Sequence, residues 1–335
     1  MAFAASPRDS ARARRFHREG LDWYRRGRYV EALRAFRQST FAGVELAEAV
    51  HAQGLCTLQL GGASEAAPLF ERALELDPAN AEAHYHLALT RLSAQRAGEA
   101  REHLERALAL DSSHAGAHLA LARLHDEAGR HEEALASARR AVAAAPAEAR
   151  PRAQLGLVFL HAGAADSALH WLDAALAADT ALFEAHVQRG RALSMLGRPA
   201  RAAAAWATAL AADSTRADLW AARGAALIRA ERAAEAVLSL RRAVRLDSLD
   251  AKSAYNLGLA LDAQGAAEKA LAAYREAARR DPAYADPHLG AGTLLLRLER
   301  FAEARRAFRR FLELAPDSPR AAEIRDALET MQGGD

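Results

Sequence analysis

The chain has 335 residues, of which 45 are basic and 43 acidic, so its formal net charge is only +2. This balance argues against a protein that binds polyanions over its whole surface, and 51% hydrophobic with 26% charged residues excludes a chain disordered throughout. No apolar run approaches the ~20 residues of a membrane-spanning helix. The first twenty residues carry five arginines without an apolar core, so no secretory signal is expected. The prediction is a soluble cytoplasmic protein, or a periplasmic one if the true start lies upstream with a signal.

Residues 1–12 precede the periodic part of the sequence and are predicted to form a flexible basic arm. Residues 1–40 carry ten arginines against four acids, whereas residues 41–149 carry nine arginines against sixteen acids. The favoured interpretation is a solvated arm on an arginine-rich chain. The alternative is an arm that attracts an acidic protein, an anionic lipid surface or a nucleic acid.

A 34-residue period begins at residue 13. Aspartates recur at this interval at positions 77, 111, 179, 213, 247 and 281, and Ala145 and Ala315 hold the same register. The period defines nine repeats over residues 13–318, with starts at 13, 47, 81, 115, 149, 183, 217, 251 and 285. A fixed period of this length indicates an array of stacked structural repeats.

Each repeat is predicted to form two helices. In the third repeat, apolar residues at helical spacing indicate one helix over 81–94, capped by Asn80, and a second over 99–110. Proline and glycine residues lie between such segments, and no segment shows sustained strand alternation. The predicted fold class is all-α.

Small residues recur at fixed positions within the repeat. The eighth residue is glycine in seven repeats, and the position expected to face it on the second helix is alanine in all nine. A glycine inside a helix costs up to ~1 kcal/mol relative to alanine, so we expect the two helices to approach closely there. The most complete pattern is Tyr255-Asn256-Leu257-Gly258, followed by Ala270, Tyr274, Ala277 and Asp281-Pro282.

With these residues the chain resembles the tetratricopeptide repeat proteins over residues 13–318. The resemblance implies a right-handed α-α superhelix (solenoid) of helix-turn-helix hairpins, closed by a capping helix and tail in residues 319–335. In that last segment Ile324, Leu328 and Met331 form an apolar stripe. The resemblance also implies a non-enzymatic protein-protein interaction scaffold or adaptor, whose first helices line a concave groove that binds a partner protein or an extended peptide.

Transferring the groove positions of the family to this chain gives an expected contact set. Its apolar members lie mainly in the early repeats, and arginine and amide side chains follow. The leucines have a second interpretation, which is packing against the next hairpin. The expected contact residues are Tyr85, Leu89, Leu119, Arg123, Gln154, Arg191, Tyr255 and Asn256.

Two other functions remain open at this point. One is an assembly factor for a bacterial envelope machine such as a pilus, a secretion system or outer-membrane biogenesis. The other is an RNA-binding helical repeat protein, which the near-neutral charge disfavours. Only 29 residues lie outside the repeats, no catalytic motif is present, and neither enzymatic activity nor a cofactor is expected.

Histidines cluster in part of the chain. Seven of the thirteen lie between His84 and His131, but no acidic or cysteine partner has metal-ligand spacing, so no metal site is expected. His84, His118, His186 and His288 share the fourth position of their repeats, where each is expected to replace an aromatic ring between helices. The single cysteine, Cys56, is expected to be a small buried residue.

Overall fold

All regular secondary structure in the described part of the chain is helical. The computed structural model describes residues 7–41 and 46–331, which contain 19 α-helices. The helices fall into two units, residues 1–163 and residues 164–335. The chain is therefore all-α, as predicted.

Unit 1 contains α1 (Pro7–Arg25), α2 (Tyr29–Phe41), α3 (Ala47–Gln59), α4 (Ala63–Leu76), α5 (Ala81–Ser93), α6 (Ala97–Leu110), α7 (Ala115–Glu127), α8 (His131–Ala144) and α9 (Ala149–His161). Unit 2 contains α10 (Ala165–Ala178), α11 (Phe183–Met195), α12 (Pro199–Ala212), α13 (Ala217–Arg229), α14 (Ala233–Leu246), α15 (Ala251–Ala263), α16 (Ala267–Arg280), α17 (Asp286–Arg297), α18 (Phe301–Leu314) and α19 (Ala321–Thr330). We call the odd-numbered helices α1 to α17 the A helices and the even-numbered ones the B helices.

Within each unit, antiparallel hairpins stack in chain order. An A helix packs against its own B helix, and that B helix packs against the next A helix. From α3 to α15 every A helix begins at the predicted repeat start, and α17 begins one residue later. α1 begins earlier than predicted, at Pro7, so residues 7–12 are helical and do not form an arm. Residues 1–6 lie outside the described part of the chain.

The glycines at position eight accommodate a large side chain of the B helix. A β-carbon on Gly54 would lie 2.6 Å from the Phe70 ring, and one on Gly190 would lie 2.4 Å from Trp206 Nε1. The closest partner is thus the bulky residue sixteen positions later and not the expected alanine. In the fourth repeat the pair is Ala122 with Ala138, where the small partner leaves room for a methyl group.

In five repeats position four supplies a hydrogen-bond donor to the preceding loop. His118 Nε2 lies 3.0 Å from the carbonyl oxygen of Ser112, and Trp220 Nε1 donates to that of Ser214 at 3.0 Å. The same bond, to the carbonyl six residues earlier, is made by His84, Arg152 and His186. The aromatic shape of histidine and tryptophan therefore does not by itself explain why they occupy position four, because Arg152 makes the same bond. The shared property is an N–H group that satisfies a loop carbonyl.

Helix ends follow local sequence signals. The Asn80 side chain accepts a hydrogen bond from the backbone N–H of Ala83 at 2.9 Å, which confirms the predicted cap of α5. The turn between A and B helices needs a left-handed residue, and Gly129 takes it with φ 71°. Three repeats place Gln95, Glu231 and Glu299 there instead, with φ of 60°, 58° and 58°. These residues adopt a conformation that costs a side chain roughly 1–2 kcal/mol.

Candidate functional site

The candidate site is the A-helix face, defined as repeat positions two, five, six, nine, twelve and thirteen. Positions two, five, nine and twelve follow one another at intervals of three or four residues, and so do positions two, six, nine and thirteen. All six therefore lie on one side of each A helix. In unit 1 the structure places Tyr85 and Leu89 on α5, Leu119 and Arg123 on α7, and Gln154 on α9. Because α7 contacts both α5 and α9, these five expected residues lie on adjacent helices of one face.

A row of leucines runs across the first three A helices of this face. Leu21, Leu55 and Leu89 occupy position nine of successive repeats, and all three are only half-buried. One turn later, Leu58 and Leu92 are also half-buried and pack against the cores beside them. We call these five residues the leucine row. All five pack against the core clusters beside them and keep part of their apolar surface exposed along the A-helix face of unit 1.

Tyr85 lies beside this row and is held by its neighbours. Its ring centroid is 4.6 Å from that of His114 and 5.1 Å from that of His86. A β-carbon on Gly116 would lie 2.9 Å from the Tyr85 hydroxyl oxygen, so the small residue on α7 makes room for the ring. Burial, followed by the charge of Glu82, raises the pKa of the Tyr85 phenol. The phenol is neutral at physiological pH and can donate a hydrogen bond.

The row ends at α7, where the face becomes polar. Arg123 replaces the leucine of position nine, its side chain is 62% exposed, and its guanidinium lies 3.8 Å from Glu127. Since an exposed ion pair of this length is weak, the guanidinium is available to another anion. Gln154 on α9 is half-buried, and its Nε2 has no hydrogen-bond partner among the described residues.

Asp126 sits at the base of this polar end. Its side chain is only 5% exposed, and its Oδ2 lies 2.8 Å from His161 Nδ1 on α9. His131 Nδ1 on α8 lies 3.5 Å from the other carboxylate oxygen. The carboxylate thus ties α7 to the helices that follow it and fixes the orientation of this part of the face.

A histidine cluster adjoins Tyr85, and the sequence did not predict it. His51 Nε2 on α3 lies 3.3 Å from His86 Nδ1 on α5. His86 Nδ1 also lies 2.8 Å from the carbonyl oxygen of Glu82, whose carboxylate is 3.4 Å from His114 Nε2. Burial, reinforced by the nearby His86, lowers the pKa of His51 to about 4. Burial also lowers the pKa of His86, so both rings are neutral at physiological pH.

In unit 2 the expected residues lie on two A helices that are not adjacent. Arg191 is exposed on α11, and its Nη1 donates to Gln188 Oε1 at 3.2 Å. Tyr255 and Asn256 are half-buried on α15, with α13 between the two helices. The residues of unit 2 therefore form two separate patches.

Tyr255 belongs to an aromatic group at the α15 patch. Its ring centroid lies 5.5 Å from that of Tyr284 and 5.8 Å from that of Tyr274. Tyr274 is fully buried, and its hydroxyl has no hydrogen-bond partner among the described residues. Burial, with the charge of Asp286 next in effect, raises the pKa of Tyr255. This patch can offer an apolar ring surface and a neutral phenol to a ligand.

Neighbouring A helices are also linked by side-chain hydrogen bonds whose two partners are 35 residues apart. It joins position twelve of one repeat to position thirteen of the next. Besides Asp126 with His161, Arg229 donates to Ser194 Oγ at 2.7 Å, and Arg297 donates to Asp262. These side chains lie at positions of the A-helix face and are partly used in holding the A helices together.

The described residues contain neither a metal-ligand cluster nor an exposed cysteine thiol. Among residues 7–41 and 46–331, no three His, Cys, Asp or Glu side chains converge as metal ligands. Cys56 is buried, as predicted, and burial raises the pKa of its thiol to about 11. A thiol of that pKa is protonated at neutral pH and is a poor nucleophile. None of the described helices is both long and apolar enough to cross a membrane.

Comparison with models of known protein families identifies the same repeats that the 34-residue period indicates. A family model described as a tetratricopeptide repeat matches residues 17–81, 51–115, 187–251 and 222–285, which together exceed half of the chain. A second model of the same description matches residues 91–155 and 263–328. The chain belongs to the tetratricopeptide repeat (TPR) family. TPR proteins are generally non-catalytic repeat scaffolds, and the repeats of this chain support a protein-protein interaction scaffold.

Solved TPR structures show the same fold. The C-terminal part of a TPR protein from Cytophaga hutchinsonii is 16% identical, with a TM-score of 0.58 over 72% of this chain and 98% of that one. A TPR protein from Parabacteroides merdae is 15% identical, with a TM-score of 0.53 over 75% and 99%. YrrB, described as a TPR protein with an unusual peptide-binding site, is 23% identical, with a TM-score of 0.51 over 56% and 97%. No curated protein matches the sequence significantly.

Proposed function

We propose that this TPR chain holds a protein partner on its A-helix face. The partner contacts Tyr85, Leu89, Leu119, Arg123 and Gln154 in unit 1, and patches around Arg191 and around Tyr255 and Asn256 in unit 2. The observation that carries this proposal is the leucine row, whose partly buried side chains keep some apolar surface exposed along one face. An uncovered apolar surface bordered by polar residues is typical of a protein-binding site.

The spacing of the row defines the chemistry of the partner. Leu21, Leu55 and Leu89 recur once in each repeat, on three successive A helices. The partner segment therefore carries apolar side chains at an interval that matches one repeat. A carboxylate that follows them would reach Arg123, which is exposed at the end of the row.

Amide side chains provide a second mode of contact. Gln154 and Asn256 both occupy position six, and an amide can donate and accept at once, as a peptide group does. Gln154 Nε2 is itself buried and lacks a partner among the described residues, so the amide has to rotate before it can donate to a backbone carbonyl of the ligand. The peptide-binding site described for YrrB supports a peptide ligand for this fold.

Affinity capture with paired variants tests the proposal. The Tyr85→Ala, Arg123→Glu variant removes a ring and reverses a charge on the A-helix face. We expect it to lose at least about tenfold of the partner captured by the wild-type chain, because both contacts lie in the proposed interface. The matched control, Leu110→Ala with Arg140→Glu, makes an equivalent change at exposed sites on α6 and α8 and should capture as wild type does.

Circular dichroism of each variant separates loss of binding from loss of folding. Arg123→Glu alone changes only an exposed side chain and should still weaken capture. Equal capture by the face variant and the wild type would show that the partner binds elsewhere.

A further inference from the structure

We propose that the patch around Tyr255 and Asn256 binds a basic side chain of the partner, through the Tyr255 and Tyr284 rings and the Asp286 carboxylate. We call these last three residues the tyrosine-aspartate site. Tyr284 and Asp286 are absent from the expected contact set, so the site adds two residues to it. The inference rests on the proposed function, because it states which chemical group the partner presents at this patch.

Three neighbouring segments of unit 2 bring the site together. Tyr255 lies on α15, Tyr284 lies in the loop between α16 and α17, and Asp286 begins α17. α15 contacts α17 directly, and the two rings meet edge to face with their planes at 72°. Both rings are half-buried, so each is held by its neighbours and keeps part of its surface exposed.

A glycine of the A-helix face leaves space beside Tyr255. Gly290 occupies position six of the ninth repeat, and a β-carbon on it would lie 3.4 Å from Tyr255 Cε2. The same β-carbon would lie 3.1 Å from Cε1 and Cζ of Tyr274, which is fully buried beneath this surface. Any other residue at position six would place side-chain atoms against these rings. Because Gly290 has none, no side chain of α17 covers the Tyr255 ring from this position.

The negative charge of the site belongs to Asp286. Its side chain is exposed and has no ion-pair partner among the described residues. Burial, with the charge of Asp286 next in effect, raises the pKa of both Tyr255 and Tyr284. The carboxylate therefore lies close to two phenols that are neutral at physiological pH. A carboxylate and the faces of neutral aromatic rings both attract a cation, so the three side chains favour the same kind of ligand group.

The basic residues of the chain near this site leave it available. Arg320, whose charge reaches Tyr255, donates to the Glu323 carboxylate from Nε at 2.8 Å and from Nη2 at 3.1 Å. Lys252 lies one turn before Tyr255 on α15 and is exposed. Within the part of the chain that the structure describes, its ammonium group contacts neither a carboxylate nor an aromatic ring. The Asp286 charge is thus free to pair with a basic group of another molecule.

An unpaired carboxylate does not by itself distinguish this site. Glu184 holds the same repeat position as Asp286, is exposed, and also lacks an ion-pair partner among the described residues. In its register, however, Ala153 and Leu182 occupy the positions of the two tyrosines. The combination of two phenol rings with a free carboxylate is what suits a basic side chain, and Glu184 supplies a matched control.

An NMR titration of the full chain tests the site with a defined probe. The probe is a short glycine-serine peptide with blocked ends and a central arginine, and the comparison peptide carries uncharged citrulline instead. We expect the arginine peptide to cause saturable shifts in the backbone amide signals of Tyr255 and of the first turn of α17. The citrulline peptide should bind about tenfold more weakly, because it loses both the ring and the carboxylate attraction. Equal binding of the two peptides would overturn the proposal.

Substitutions assign the binding to individual groups. Asp286→Asn keeps the shape and removes the charge of an exposed side chain, so it should weaken binding of the arginine peptide about threefold. Tyr255→Leu should weaken it by about the same factor, whereas Tyr255→Phe keeps the ring and should bind nearly as wild type does. The control, Glu184→Gln, should leave binding unchanged. Unchanged binding in Asp286→Asn would contradict the assignment.

The two proposals can fail separately. Loss of capture in Tyr85→Ala, Arg123→Glu, together with no binding of the arginine peptide near Tyr255, would overturn this inference and leave the proposed function standing. Binding of the arginine peptide at Asp286, together with normal capture by the face variant, would support the cation site and contradict the proposed function.

Discussion

Replacing Gly190 by alanine is expected to lower the free energy of unfolding by about 3 kcal/mol. The new β-carbon would lie 2.4 Å from Trp206 Nε1 and 2.5 Å from Cε2, closer than nonbonded atoms can approach. Trp206 is buried, and its Nε1 donates to the carbonyl oxygen of Val187 at 3.2 Å. The ring can yield only by losing this bond and disturbing its neighbours, so overpacking and an unsatisfied donor both contribute. Urea unfolding monitored by tryptophan fluorescence measures the change.

A glycine in open space provides the control. Gly98 lies within α6, and no atom comes within 4 Å of a β-carbon placed on it. Gly98→Ala should therefore stabilise the chain by up to about 1 kcal/mol, because alanine is the better helix former. The same substitution thus has opposite signs at the two sites.

A double-mutant cycle tests the cause. Gly190→Ala combined with Trp206→Ala recreates the Ala122 and Ala138 combination of the fourth repeat. The two changes should be non-additive by about 1–2 kcal/mol, since an alanine at position 206 leaves room for the methyl group. A cost for Gly190→Ala that is independent of residue 206 would contradict the packing account.

Acid is expected to destabilise unit 1 through His51. Its folded-state pKa of about 4 lies below the ordinary value of 6.5, so the unfolded chain binds more protons between these two values. Stability contributed by neutral His51 is complete above pH 6.5 and falls as the pH approaches 4. The expected loss from this one ring is about 2–3 kcal/mol, and its first cause is burial. Urea unfolding at pH 7 and near pH 4.5, with hydrogen exchange of α3 as the local readout, measures it.

His51→Gln removes the titrating group and should flatten this part of the pH dependence. His86 lies 3.3 Å from His51, so the variant also relieves the repulsion between two protonated rings. His170→Gln, at an exposed site on α10, is the control and should leave the pH dependence unchanged. An equal loss of stability in wild type and His51→Gln would assign the acid sensitivity to other groups.

Most of the fold could be predicted from the sequence because the repeat supplies the same evidence many times. The starts of α5 and α7 follow from the period, and the Asn80 cap follows from the type of residue before the first helix. Residues 7–12 were missed as helix because they precede the first repeat and lack its pattern. Pro7 at the helix start and Asp9 in the first turn are the signals that could have found it.

The reasons for individual positions were harder to predict than the positions themselves. The glycine of position eight was assigned to a facing alanine, whereas the contacting group is the large side chain nearby, as Gly258 with Tyr274 shows. The sequence pattern presents histidine at position four as an aromatic substitute, whereas three of these histidines bond the preceding loop. Arg152, which makes the same bond, is the available hint that an N–H donor acts there.

The candidate site could be predicted only as a face. Repeat positions place Tyr85 and Arg123 on one side of their helices, but which side chains are already engaged depends on contacts between repeats. The bond of His51 with His86 and that of Asp126 with His161 each join residues 35 apart. In a repeat of 34 residues, the partner of each such residue lies one repeat later and one position further on. The pair can be found in a single sequence only by comparing each position of one repeat with the following position of the next.

Site-specific photo-crosslinking shows whether the A-helix face holds the partner. A photoreactive residue replaces half-buried Leu89 on α5 in one variant and exposed Glu105 on α6 in the other. We expect a crosslink to the captured partner from residue 89 and none from residue 105. Adding Arg123→Glu to the first variant should diminish its crosslink. A partner crosslinked from residue 105 and not from residue 89 would show that the A-helix face does not hold it.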